Sequence, residues 1–166
     1  MKKLVVRLAE PSEAEVLTRL AMTAKASWGY SDAFMEACRA ELTMTPTKMS
    51  AWTVWVADID GTIYGMIAVN FGRASGNAEL EDFFVDPVYQ GRGVGWALMS
   101  VVFQTCRSRS VRVLGVDADP NSEKIYWRFG FATVGRAPSR SIPGRTLPRM
   151  ELRITEGCVA HSDGQR

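Results

Sequence analysis

The sequence predicts one α/β (α+β) domain, a mixed sheet with helices against its faces. Three observations carry that prediction. Short β-rich apolar runs alternate along the chain with segments whose apolar residues recur at helical spacing. No internal repeat, low-complexity tract or interdomain linker separates them. A hydrophobic content of 46 % over 166 residues can fill one sizeable core, and a charged fraction of 23 % argues against disorder. The expected order is β-α-α-β-β-β-α-β-α-β-β within residues 1–155, and the polar tail 156–166 is expected to be flexible.

"KLVVRLA" reads as the first strand. "EPSEAEVLTRLAMTAKASW" has Pro11 near a helix start and places Val16, Leu17, Leu20, Ala21 and Ala24 on one stripe. "SDAFMEACRAELTM" is a second helix capped by Ser31 or Asp32, and the "WGY" before it supplies two aromatics at a turn. "WTVWVADIDGTIYGMIAVNF" is a hairpin about Asp60-Gly61, a favoured tight-turn pair. "NAELEDFFVDP" is the next strand, closed by Asp86-Pro87. Beyond a glycine cluster, Val94, Ala97, Leu98, Val101 and Val102 form one buried helical face. "VRVLGVDA" is a strand, "DPNSEKIYWRF" a short helix with Pro120 in its first turn, and "FATVGRA" and "LPRMELRI" close the sheet.

Composition excludes several function classes. A net charge of +2 is too small a footprint for nucleic acid, and no apolar run is long enough to cross a membrane. The amino terminus lacks a signal-peptide core, so the expectation is a cytoplasmic protein. Cys38, Cys106 and Cys158 show no CxxC or Cys/His metal spacing, and no metal is expected. The one histidine, His161, lies in the polar tail, which disfavours a Ser-His-Asp or Cys-His mechanism. From Gly135 to Arg149 the chain carries Arg136, Arg140, Arg145 and Arg149 with no acid. That run is either a solvated loop or a site for an anionic group.

The sharpest local signal is "YQGRGVGW", in which Gly91, Gly93 and Gly95 stand between a strand and a helix. N–H groups at a helix start lack partners and carry the positive dipole end. Glycine lets them close on a phosphate, and Arg92 adds charge; the plainer reading is a turn, which one glycine would satisfy. The spacing fits neither GxxxxGK[ST] nor GxGxxG in a first βα unit.

These residues resemble a known family. Gln90-Gly91-Arg92-Gly93-Val94-Gly95 is similar to the Q/RxxGxG/A pyrophosphate-binding motif of the GCN5-related N-acetyltransferases (GNAT superfamily). The acidic strand "ELEDFFVDP" before it and "NSEKIYWRFGF" after it resemble the family's flanking segments, and the likeness covers most of Leu4 to Ile154. It implies a mostly antiparallel sheet and acetyl-CoA as acyl donor. The pyrophosphate would lie on Gln90, Gly91, Arg92, Gly93, Val94 and Gly95, with Trp96 following, and the pantetheine arm along Phe84 and Val85. Asn121 is the candidate for a further contact to that arm, although it stands closer to Tyr126 than the family's motif asparagine does.

Acetyl transfer to an amine needs a neutral nitrogen, so one group must accept a proton and another protonate or stabilise the leaving thiolate. In "AELEDFF", strand alternation is expected to put Glu79 and Glu81 on one face and Asp82 on the other. Glu81 is the preferred base and Glu79 stays open; charges on a wet strand end are the alternative. The resemblance makes Tyr126 the proton donor to the CoA sulfur; otherwise it is a core tyrosine. The resemblance also frames the acceptor by the first two helices and the last hairpin loop, where Trp28, Tyr30, Phe34, Arg140 and Arg145 are substrate candidates. The expected activity is N-acetylation of a small-molecule amine. The alternatives are a peptide or protein amine, or an acyl-CoA-responsive sensor without turnover. The expected partner is the amine, not nucleic acid or membrane, and a homodimer is compatible.

Overall fold

The computed structural model describes residues 2–155, so the tail 156–166, with Cys158 and His161, lies outside the described residues. The elements are β1 (Leu4–Leu8), α1 (Ala14–Ala26), α2 (Asp32–Leu42), α3 (Pro46–Ala51), β2 (Thr53–Ile59), β3 (Thr62–Asn70), β4 (Asn77–Val85), α4 (Val94–Ser108), β5 (Val113–Asp117), α5 (Glu123–Arg128), β6 (Ala132–Pro138) and β7 (Thr146–Arg153). Single 3₁₀ turns, each opened by a proline, precede α1, the glycine loop and α5. The expected order holds, with α3 added. Thr45 caps α3 by accepting the Lys48 N–H, and Pro46 fits its first turn; six residues are too few for a periodic signal.

The strands form one seven-stranded sheet in the order β1-β2-β3-β4-β5-β7-β6. Every pairing is antiparallel except β4 with β5. Asp60 (φ 53°) and Gly61 (φ 83°) are both left-handed, the tight hairpin that this pair favours. One face of the sheet buries α4 through Leu98, Met99, Val102, Phe103 and Cys106. The other face carries α1 and α2, packed by Leu17, Leu20, Ala21, Met35 and Cys38.

Two features of β4 shape the site. It pairs with β5 only over Asn77–Glu79 against Val113–Gly115, and beyond that the strands part. It also carries a bulge: Ala68 of β3 faces Asp82 and Val69 faces Leu80, so Glu81 is the extra residue. The bulge overturns the expected alternation. Leu80, Phe83 and Val85 all pack into the α4 core, which Leu80 and Phe83 could not do in a regular strand. Glu79 and Asp82 therefore share the opposite face, the one that Phe84 uses against α1 and α2.

Candidate active site

The parted strands open a cleft of about 660 Å³, floored by Phe83, Phe84 and Val85 and walled by the glycine loop, the end of α1 and α5. Gly93 is the N-cap of α4 at φ 83°, a conformation that side chains resist. A Cβ built on Gly91 or Gly93 would meet nothing within 4 Å, whereas one on Gly95 would stand 3.4 Å from Phe83 Cζ. Two glycines thus shape an open rim, and the third lets the helix start lie close over the strand. Ala97 N–H is the first to bond back, to Gly93 O at 3.0 Å, which leaves the N–H groups of Val94, Gly95 and Trp96 without helical acceptors. Open glycine rim, unpaired amides and a deep apolar cleft fit a diphosphate joined to a long thin arm.

Of the expected cofactor residues, Phe84, Val85, Gln90, Gly91, Gly93, Gly95 and Trp96 line this cleft. Gln90 Nε2 also donates to Val85 O at 3.3 Å, tying the loop to the strand end. Val94 is buried; its Cγ1 fills the space left by Gly65, so its part at the cleft is its backbone. The Arg92 guanidinium lies over the Tyr89 ring, 5.3 Å from its centre. Asn121 does not line the cleft: its Nδ2 donates to Tyr30 Oη (3.0 Å) and Asp119 Oδ1 (2.9 Å). Ile125 and Arg128 of α5 and Phe129 just after it line the cleft and were not among the expected residues. The short amphipathic pattern of α5 was the available signal.

The expected acceptor residues divide. Trp28 faces the same cleft. Tyr30 and Phe34 stack with centres 4.1 Å apart, and Arg145 covers both rings. Arg145 Nη2 donates to Tyr30 Oη at 2.7 Å, and Tyr30 donates to the Asp119 carboxylate at 2.9 Å. Lys25 (3.4 Å) and Arg145 (3.5 Å) also approach Asp119. Burial alone would raise the Asp119 carboxyl, but bonds from Asn121 and Tyr30 and the charge of Lys25 hold it below its ordinary value. Burial, reinforced by Asp119, raises the Tyr30 phenol. Arg140 is 61 % exposed and reaches Glu81 at 3.6 Å.

The β4 acids have unlike surroundings. Glu79 is clasped by Arg149, which also contacts Asp117 at 3.2 Å. The Arg149 guanidinium occupies the space over Gly115, where a Cβ would collide with it. Glu81, its side chain 7 % exposed, lies between Arg73 (3.4 Å) and Arg140. Asp82 is 9 % exposed and, among the described residues, accepts no hydrogen bond and forms no ion pair. Burial pushes its carboxyl up to about 7, with Lys48 and Lys25 pulling down and Glu81 and Glu41 pushing up. Tyr126 is 5 % exposed, and its ring packs against Phe83 (6.1 Å) and Phe131 (5.3 Å). Burial, then the charges of Asp82 and Asp119, raise its phenol, which stays protonated at neutral pH.

A glycine-rimmed helix start over a strand split decides the kinship when set beside known proteins. The family model described as Acetyltransferase (GNAT) domain matches residues 10–153. The chain belongs to the GNAT family. It is similar to N-acetylaspartate synthetase of Danio rerio, 27 % identical over 125 residues, covering 74 % of this chain and 44 % of that protein. The chain thus spans less than half the length of that relative. Among solved structures it resembles a GCN5-related N-acetyltransferase from Rhodopseudomonas palustris (TM-score 0.75, 21 % identity, 92 % of this chain and 97 % of that one). It also resembles the PaiA N-acetyltransferase from Thermoplasma acidophilum in complex with coenzyme A (TM-score 0.72, 16 % identity, 91 % and 99 %). These likenesses show that the fold observed here is that of GNAT acetyltransferases.

Proposed function

We propose that this GNAT domain acetylates the amine of a small-molecule acceptor by direct attack on the donor thioester. The observation that carries the reading is the pinned turn between β6 and β7. Ser141 bonds Glu41 of α2, Arg145 bonds Tyr30, and Ile142 packs on the Met35–Cys38 cluster. A turn held down on α2 favours a compact acceptor over an extended peptide, which would need that groove open. Lys25, Arg73, Arg140 and Arg145 around the same space suit an acceptor with an anionic group beside its amine. The name of the relative N-acetylaspartate synthetase accords with an amino-acid acceptor.

The donor supplies an already activated acyl group, so positioning and proton management suffice. The glycine loop and the α4 amides would hold the pyrophosphate, with Phe84 and Val85 along the pantetheine arm. A β4 carboxylate takes one proton from the ammonium, the nitrogen lone pair forms the C–N bond, and the C–S pair leaves on sulfur. Tyr126 gives that sulfur its proton and regains one from the nitrogen, so one proton in total reaches solvent. Tyr30, Phe34, Arg140 and Arg145 frame the acceptor. The test is release of free thiol from acetyl-CoA across a panel of amino acids, simple amines and peptides. Turnover with small amines is the expected result. Turnover confined to peptides would overturn it, and tight acetyl-CoA binding with no turnover would favour a sensor.

A further inference from the structure

We propose that Asp82, rather than Glu79 or Glu81, is the group that takes the proton from the acceptor ammonium. The inference rests on the acetyl-transfer reading above and assigns its base. Glu79 and Glu81 already have cationic partners: Arg149 holds the first and Arg73 with Arg140 the second. An incoming ammonium would have to displace those cations to reach either carboxylate.

Asp82 is the reverse case. It is 9 % exposed and none of the described residues hydrogen-bonds or ion-pairs with it, yet no fully buried side-chain oxygen among the described residues lacks a partner, so its carboxyl is open to an incoming group rather than sealed in the core. The Glu81 bulge turns it off the Leu80–Phe83 core and towards the helices that frame the acceptor. The charged and titratable groups about it are Lys25 of α1, Glu41 of α2, Lys48 of α3, Glu81 beside it and Tyr126 of α5. Acid and base thus flank the strand split: Asp82 in β4 and Tyr126 in α5, close enough for the Asp82 charge to raise the phenol. The step breaks one ammonium N–H bond and forms one carboxyl O–H bond, leaving a neutral amine; nothing is oxidised or reduced.

Three variants, Asp82→Asn, Glu81→Gln and Glu79→Gln, separate the candidates. In the ligand-free protein, an infrared difference between wild type and Asp82→Asn reads the Asp82 carboxyl directly. Its titration is expected near neutrality, and a midpoint in the ordinary carboxylate range overturns the proposal without any turnover measurement. In kcat/KM profiles, Asp82→Asn is expected to lose the acidic limb and fall about 100- to 10,000-fold. An acceptor amine of low pKa, neutral without help, should recover much of that loss. Both glutamine variants are expected to keep the limb, and its loss in either one alone moves the base to that residue. Wild type that acetylates no amine sinks the acetyl-transfer reading, and the base role with it. Wild type that turns over while Asp82→Asn keeps its full rate and limb sinks the assignment alone. Acetyl-CoA affinity of Asp82→Asn by calorimetry shows that the variant is folded.

Discussion

Replacing Gly93 by aspartate or by asparagine isolates the charge that a pyrophosphate bound on the glycine loop would feel. The two side chains have nearly the same shape, and a Cβ at Gly93 would meet no atom within 4 Å, so neither is excluded for bulk. Both must adopt φ near 83°, a strain of about 1 kcal/mol that Asn and Asp tolerate better than most residues. Melting temperature should drop a few degrees in both, since 1 kcal/mol moves a domain of this size by about 2–4 °C. Acetyl-CoA affinity should part them. One negative charge at about 4 Å from each of two phosphoryl charges costs about 2 kcal/mol even at the dielectric of water, roughly a 30-fold loss. Isothermal calorimetry at low salt measures both variants, and the gap between them should narrow at 1 M salt, where the Debye length is about 3 Å. Equal affinities of two folded variants would refute a pyrophosphate site on this loop.

Tyr126→Phe should lower turnover roughly 10- to 1000-fold while leaving acetyl-CoA affinity nearly intact, because no described residue hydrogen-bonds the hydroxyl in the resting fold and the proposed mechanism uses it solely as a proton donor. Arg145→Ala removes the bond to Tyr30 and the cover over Phe34, so acceptor KM should rise several-fold in steady-state kinetics with acetyl-CoA affinity unmoved. Stability should fall with pH between about 4 and 7. The Asp82 carboxyl is raised from 3.8 to about 7 by folding, so in that window the native state binds more protons than the unfolded chain. The penalty is absent below the unfolded value and complete above the folded one. Melting curves across pH should show the decline in wild type and its loss in Asp82→Asn.

Much of the frame was legible because its signals are local. Asp60-Gly61 fixes a hairpin by turn chemistry alone, and Gly91 to Gly95 announces a backbone that must stay open at a helix start. The reach of the arginines was not legible. Arg140 and Arg145 lie in a run without acids, yet their partners are Glu81 and Asp119, brought from distant strands and loops. Arg149, from the same run, is taken up by Glu79 and Asp117, with room made by Gly115. Asn121 likewise serves the Tyr30–Asp119 cluster, a contact between residues 91 apart in sequence. A short helix such as α3 leaves only its cap and proline to read.

The bulge in β4 is the instructive miss, because its trace is in the sequence. Ala78 and Leu80 keep one apolar phase, and Phe83 and Val85 keep the other, so the alternation slips by one between Leu80 and Phe83. Strict alternation read across that slip sends Asp82 to the wrong face. In a regular strand, either Leu80 or Phe83 would have to leave the α4 core, at about 1.5–3 kcal/mol for a buried side chain of that size. One extra residue avoids that loss and keeps both in the core, with Glu81 absorbed between Arg73 and Arg140. It also sets an unpaired carboxylate against Lys25 and Lys48, on the side away from α4. The core chooses the register, and the register places the acid. Removing the bulge by deleting Glu81 should therefore damage packing and proton transfer together, whereas Asp82→Asn should lower proton transfer and leave the α4 core packing intact.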